Sequence, residues 1–235
     1  MPKIRQTHPP GPVGVGFSRL LILDIDGTLL HTGGAGLRAF RRAAESVFGR
    51  GIKFTKGDFA GKLDCGIFRK LHQTFSRDKG HLIEAWTQFQ ALYLAGLEKE
   101  AETCLDWKVY PGVREFLDRE RERSALALLT GNIRRGAQIK LNAVGLWNYF
   151  PCGAFGDAAE NRCQLAALAL QEAEKHFQRK FTEVWVIGDT IADIECGRSI
   201  GAKTLGVRTG FSKDGELEAA GADRVVKTLE DFRDF

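Results

Sequence analysis

Residues 20–23 read Leu-Leu-Ile-Leu, an unbroken apolar run that stops at Asp24. A strand with one wet face alternates apolar and polar residues. A short run with no alternation marks a strand covered on both sides. Comparable runs recur at 125–129, 184–187, 204–207 and 224–226. Between them the apolar residues fall at helical spacing: Val113, Phe116 and Leu117; Ile139, Leu141 and Val144, closed by Gly145; Leu165, Leu168, Ala169 and Phe177; then Ile191, Ile194 and Ile200. Strands alternating with helices predict an α/β fold, a doubly wound parallel sheet of Rossmann-like type.

The interval 32–108 breaks this rhythm. Leu37, Phe40, Ala44, Val47 and Phe48 form a helical stripe ended by Gly49. Ile67, Phe68, Leu71 and Phe75 form a second, and Leu82, Ile83, Trp86, Phe89, Tyr93 and Leu97 a third. The α/β pattern restarts at Tyr110, Pro111 and Gly112. At 235 residues the chain can carry one core and a small insertion. The expected organisation is a flexible tail at 1–18, an α/β catalytic core at 19–31 and 109–235, and a helical cap domain at 32–108. Glycines between Gly11 and Gly16 imitate a nucleotide loop, but such loops follow a strand, and these precede one.

The net charge of +4 is mild and dispersed, without the basic face or aromatic interleaving of a nucleic-acid reader. Cys65, Cys104, Cys152, Cys163 and Cys196 are odd in number and widely spaced, which predicts reduced thiols in a cytoplasmic protein rather than a zinc site. No run approaches the ~20 apolar residues of a membrane span. The composition leaves the oligomeric state open.

Chemistry concentrates at the strand ends. Asp24-Ile25-Asp26-Gly27-Thr28 follows the first apolar run, where open α/β sheets bind ligands. Asp24 can attack phosphorus without first losing a proton, and Asp26 can protonate a leaving oxygen and later activate water. The plainer alternative is a turn rich in Asp and Gly. Thr130-Gly131-Asn132 ends another run and suits phosphate oxygens, or else simply caps the next helix. Asp189, with Asp193 four residues on, ends a third. Several carboxylates and a phosphate dianion share a cleft only with a cation, and hard oxygen ligands suit Mg²⁺. Asp189 is equally placed to be a helix N-cap.

In this order the DxDGT, TGN and GDT-x-x-D motifs resemble the haloacid dehalogenase-like hydrolase superfamily, in particular its phosphatases with a helical cap after the first motif, such as phosphoglycolate phosphatase. The resemblance runs from Arg19 to the C-terminus. It implies a phosphorylated Asp24, an acid/base at Asp26, and Mg²⁺ held by the Asp24 carboxylate, the Asp26 backbone carbonyl and Asp189, with Asp193 in support. One departure stands out. The family places a Lys ahead of the helix before the last motif, and the cation at that place here is Arg162, with Lys140 the fallback. Arg keeps the charge and adds a bidentate fork. Phe59-Ala60-Gly61-Lys62 resembles the cap loop that reaches the substrate; Lys62 there meets a substrate anion or is simply a solvated lysine. His31 is expected at the hinge-side surface.

The expected activity is hydrolysis of a small phosphorylated metabolite, phosphoglycolate-like or a sugar phosphate, through an aspartyl-phosphate. The rivals are a phosphomutase using the same carboxylate and a phosphoacceptor domain. The Asp26 acid and the large insertion count against the latter.

Overall fold

The computed structural model describes residues 16–76 and 80–234. The expected tail thus lies outside the described residues as far as 15. From Phe17 onward the chain is tied to the sheet: the Phe17 carbonyl accepts from Arg179, and the Ser18 carbonyl from the Thr182 and Glu183 amides.

Six strands form one parallel sheet: β1 (Arg19–Leu23), β4 (Ala125–Thr130), β5 (Cys152–Phe155), β6 (Glu183–Gly188), β7 (Lys203–Val207) and β8 (Arg224–Val226). Their order is β5-β4-β1-β6-β7-β8. β1 lies between β4 and β6, with Leu23 opposite both Leu128 and Ile187. The chain winds outward from β1 to β4 and β5, then crosses back to β6. That reversal opens a crevice at the carboxyl ends of β1, β4 and β6.

The period of two along β1 sorts the core into two layers. Leu21 and Leu23 pack with Val113, Phe116 and Leu117 of α4 (Val113–Glu120) and with Ala137 and Leu141 of α5 (Arg134–Ala143). Leu20 and Ile22 face the other way, onto Leu165, Ala166, Ala169 and Ala173 of α6 (Arg162–Phe177) and Cys196 of α7 (Ile191–Ser199). Both faces of β1 are therefore dry. A short α8 (Glu216–Ala219) precedes β8.

Between β1 and α4 come α1 (Ala35–Phe48), α2 (Asp64–Phe75) and α3 (Leu82–Thr103). Their apolar stripes meet in a separate cluster built on Phe40, Phe68, Phe89, Tyr93 and Leu97, which also takes in Ile133 and Ile139 near α5. The outer members of the predicted stripes miss it: Phe75 is 46% and Ile83 77% exposed. Two strands flank the helices, β2 (Leu30–His31) and β3 (Lys108–Val109), paired antiparallel. Neither they nor β5 show in the sequence pattern, because a two-residue strand has no periodicity and β5, Cys-Gly-Ala-Phe, has a glycine in its middle.

Phe89 is fully buried, with ring centroids of Phe40, Phe68 and Tyr93 at 4.7, 5.1 and 5.9 Å. Phe89→Ala is expected to cost about 3–5 kcal/mol, read as a lower urea midpoint at unchanged slope.

Candidate active site

Immediately after β1 the chain folds back on itself. The Leu29 and Leu30 amides donate to the Ile25 carbonyl, and the Gly27 amide donates to that of Leu30. This tight loop places Asp24 and Asp26 at the crevice floor while the Asp24 amide stays on the sheet, donating to the Ile187 carbonyl at 3.0 Å.

Asp24 is 6% exposed. Burial, helped by nearby Asp193 and Asp26, pushes its carboxyl up to about 7 against the opposing pull of Arg162. The Arg162 guanidinium lies 2.9 Å from Asp24 Oδ1 and donates to Asp193 Oδ1 at 2.5 Å. Burial disfavours the Arg162 charge, but these two acids hold it firmly protonated. Arg162 opens α6, with Asn161 as N-cap accepting from the Gln164 amide. At 9% exposure it is not a solvated helix-start residue.

Asp189 follows β6 and is fully buried. Its Oδ2 accepts from the Phe211 amide at 2.7 Å, its Oδ1 from the Thr28 hydroxyl at 3.3 Å. Burial, then Asp193 and Asp24, raise its carboxyl well above the usual range. The expectation of an N-cap at Asp189 fails: Thr190 caps α7, closed by a box in which Asp193 Oδ2 accepts the Thr190 amide and hydroxyl. Asp193, three residues inside the helix, reaches the exposed amides better than Asp189 can. That leaves Asp189 facing Asp24. Carboxylate oxygens of Asp24, Asp189 and Asp193 lie within 4.8 Å of one another. A buried set of oxygen donors alone fits a hard divalent cation such as Mg²⁺.

Asp26 sits to one side, its side chain 31% exposed. Both its oxygens accept from Lys140 Nζ, at 2.8 and 2.7 Å, and Oδ2 also from Asn132 Nδ2 at 2.7 Å. Asn132 donates as well to Thr130 Oγ1 at 2.7 Å. Arg162 and Lys140 thus pair with different carboxylates.

The insertion closes the crevice through its loop 59–64. The Asp64 amide donates to the Gly131 carbonyl at 2.8 Å, and Asp64 Oδ2 accepts from the Ile133 amide. A side chain at Gly131 would sit 2.0 Å from the Lys62 carbonyl, and one at Gly61, where φ is +66°, 2.8 Å from Ala192. Only glycine permits this approach. Lys62 is exposed, and its amine donates to the Gly57 carbonyl at 3.1 Å. A cavity of about 740 Å³ remains between the two parts, walled by Leu37, Phe40, Phe59, Tyr93 and Tyr110 above Asp24 and Asp26. His31 lines it too, half-buried, rather than standing at the surface.

Asp64, Tyr93 and the loop carrying Phe211 were not legible as site residues. Lys140 left a trace: on α5 it continues the buried stripe of Ile133 and Ala137, an unusual place for lysine.

A family model described as haloacid dehalogenase-like hydrolase matches residues 21–198. The chain belongs to this hydrolase family. It is 24% identical over 241 residues to a phosphoglycolate phosphatase of Nitrosospira multiformis, covering 94% of this chain and 95% of that one. Among solved structures it resembles a predicted phosphoglycolate phosphatase from Haemophilus somnus, at TM-score 0.71 and 17% identity over 93% and 97% of the two chains. It also resembles CbbY from Rhodobacter sphaeroides in complex with phosphate, at 0.67 and 20% over 92% and 96%. At these identities the structural matches speak to the fold.

Asp64 gives a pH test. Burial raises its carboxyl from the ordinary 3.8 to about 6, against Lys140 and the Ile133 amide, which lower it. Between those values the folded state binds more protons than the unfolded one, so this group's contribution to stability falls as pH rises. Asp64→Asn keeps an acceptor for Ile133 but cannot ionise. The variant is expected to gain on wild type from pH 4 to 6 and then run parallel. Urea titrations at pH 4, 5, 6 and 7 measure this.

Proposed function

We propose that the chain is a Mg²⁺-dependent phosphatase that hydrolyses a small phosphate monoester through an aspartyl-phosphate on Asp24. The observation that carries this reading is the buried junction at the sheet's reversal point, where one guanidinium bridges Asp24 and Asp193 beside Asp189. A lone buried carboxylate would be expensive. Here it has a cation to orient it and a donor set to receive another.

Asp24 attacks the phosphorus, and the leaving oxygen takes a proton from Asp26, which opens into the same cavity. The cation would be held by Asp24, the Asp26 carbonyl and Asp189, with Asp193 in support, and would offset charge on the phosphoryl oxygens. Thr130, Gly131 and Asn132 supply the remaining contacts to those oxygens, and Arg162 steadies the equatorial charge. Water drawn in by Asp26 then releases phosphate. We assign 32–108 as a cap that selects the substrate, its loop at Gly61 and Lys62 being the part nearest the leaving group. A phosphorylated metabolite is the substrate class that suits a cavity of this size. The five cysteines are free, which suits a cytoplasmic setting.

Release of inorganic phosphate from an aryl phosphate, assayed with Mg²⁺ and with chelator, tests the reading. Turnover should vanish in chelator and return with Mg²⁺. Asp24→Asn should abolish it, and Asp26→Asn should lower it roughly 10²–10⁴-fold. Full turnover in excess chelator, or by Asp24→Asn protein shown free of deamidation, sinks the proposal. Arg162→Ala should lower kcat as well as kcat/KM, with Arg162→Lys recovering part.

A further inference from the structure

We infer that Lys140 is a positioning residue: it clamps the Asp26 carboxylate in the orientation from which Asp26 activates water in the second half of the reaction. The inference rests on the reading of Asp24 as phosphoryl acceptor given above.

Lys140 lies in the last turn of α5, only 5% exposed. A buried ammonium is costly unless its protons are taken up. This one has three donors and makes three hydrogen bonds: to Asp26 Oδ1 at 2.8 Å, Asp26 Oδ2 at 2.7 Å and Asn132 Oδ1 at 2.6 Å. None is left over for a substrate. That separates Lys140 from a phosphate-binding lysine, which must keep a donor free.

The triangle is closed by Asn132. Its amide oxygen accepts from Lys140 while its amide nitrogen donates to Asp26 Oδ2 at 2.7 Å and to Thr130 Oγ1 at 2.7 Å. Asp26 therefore receives three hydrogen bonds, all arriving from donors, and its carboxylate plane is fixed from two rigid elements, the end of β4 and α5. The insertion seals the other side: a side chain at Gly36, in the first turn of α1, would lie 3.4 Å from Lys140 Nζ. Without the clamp, Asp26 hangs from a loop and faces an open cavity.

Three donors fix the plane of the ionised carboxylate, so its oxygens meet the cavity in one orientation. Once Asp26 has given its proton to the leaving oxygen, this is the form in which the clamp holds it. Water oxygen then attacks phosphorus, and the bond from phosphorus to the Asp24 oxygen breaks, returning its electron pair to Asp24. The water proton passes to Asp26, and inorganic phosphate leaves. Loss of Lys140 should slow this step. It should spare attack on a substrate whose leaving group needs no proton.

The experiment uses the full chain with Mg²⁺ and 4-nitrophenyl phosphate, comparing wild type, Lys140→Met and Lys140→Arg. For Lys140→Met, kcat is expected to fall roughly 10–100-fold, less than the roughly 10²–10⁴-fold of losing the acid/base outright. KM should fall in step, leaving kcat/KM within about threefold of wild type. Rapid mixing should show a burst of about one nitrophenolate per enzyme, and acid quenching should trap phosphoenzyme. Lys140→Arg, with its charge kept but its reach changed, should recover part of kcat. A parallel fall in kcat and kcat/KM without a burst overturns the inference, because Lys140 would then serve the first transfer. Unchanged kinetics overturn it too. If Lys140→Met does not fold, Lys140→Arg and Lys140→Gln are read by the same split. Failure of the underlying reading looks different: wild type itself would turn over without phosphoenzyme and survive Asp24→Asn.

Discussion

The structure hinges on a guanidinium buried between two buried carboxylates. Arg162 joins Asp24 at the end of β1 to Asp193 in the first turn of α7, from the first turn of α6. It thereby ties together three elements that are far apart in sequence. Little of this favours folding for its own sake. A cation at a helix N-terminus opposes the dipole, a buried ion pair recovers barely what desolvation costs, and Arg162 Nε is buried with no hydrogen-bond partner among the described residues. An apolar side chain would pack the same space with less to satisfy. What the arrangement does accomplish is to oppose burial at Asp24, the proposed acceptor, by favouring its ionised form.

The insertion depends on the same junction. Its two chain crossings run through one antiparallel pair, Leu30 opposite Val109, extended by the Tyr110 amide donating to the Leu29 carbonyl. Its other attachment is the loop 59–65, seated on Gly131, Ile133 and Gly156 through Asp64 and the Cys65 thiol. The residues that seat the loop therefore border those that face the phosphoryl site. Excluding water from the cavity and arranging Thr130 to Asn132 are one packing problem, solved by the absence of a side chain at Gly131.

Much of this was readable in the chain. The unbroken run at 20–23 implied a doubly covered strand, and alternate members of β1 do enter separate cores. The carboxylates at 24 and 189 were legible because they follow apolar runs, those at 26 and 193 because they lie close behind them, and strand ends gather at one edge of a parallel sheet. What escaped the sequence depends on distance across the fold. Nothing local to Lys140 indicates that its ammonium meets Asp26, 114 residues away. Asp64 looks like any acid at a helix start until Ile133 and Lys140 close around it. The alternative of Asp189 as a cap fails because the helix is capped one residue later, at Thr190, whose amide Asp193 accepts.

Charge accounting shows why the two cations cannot exchange roles. Asp24, Asp26, Asp64, Asp189 and Asp193 gather around the cavity floor, and Arg162 and Lys140 are the cations buried among them. The deficit falls on the Asp24, Asp189 and Asp193 cluster, where burial, and then the neighbouring acids, raise the proton affinity of Asp24 and Asp189. Asp26 stands apart from it, its lysine wholly committed. A divalent cation would therefore be drawn to the trio and not to the Asp26 carboxylate, which already has its lysine. Lys140, by satisfying Asp26, keeps the proposed acid/base out of that competition. Arg162, shared between Asp24 and Asp193, leaves Asp189 to the cation. One cavity can thus hold the proposed nucleophile and the proposed acid/base without either taking the other's counter-charge.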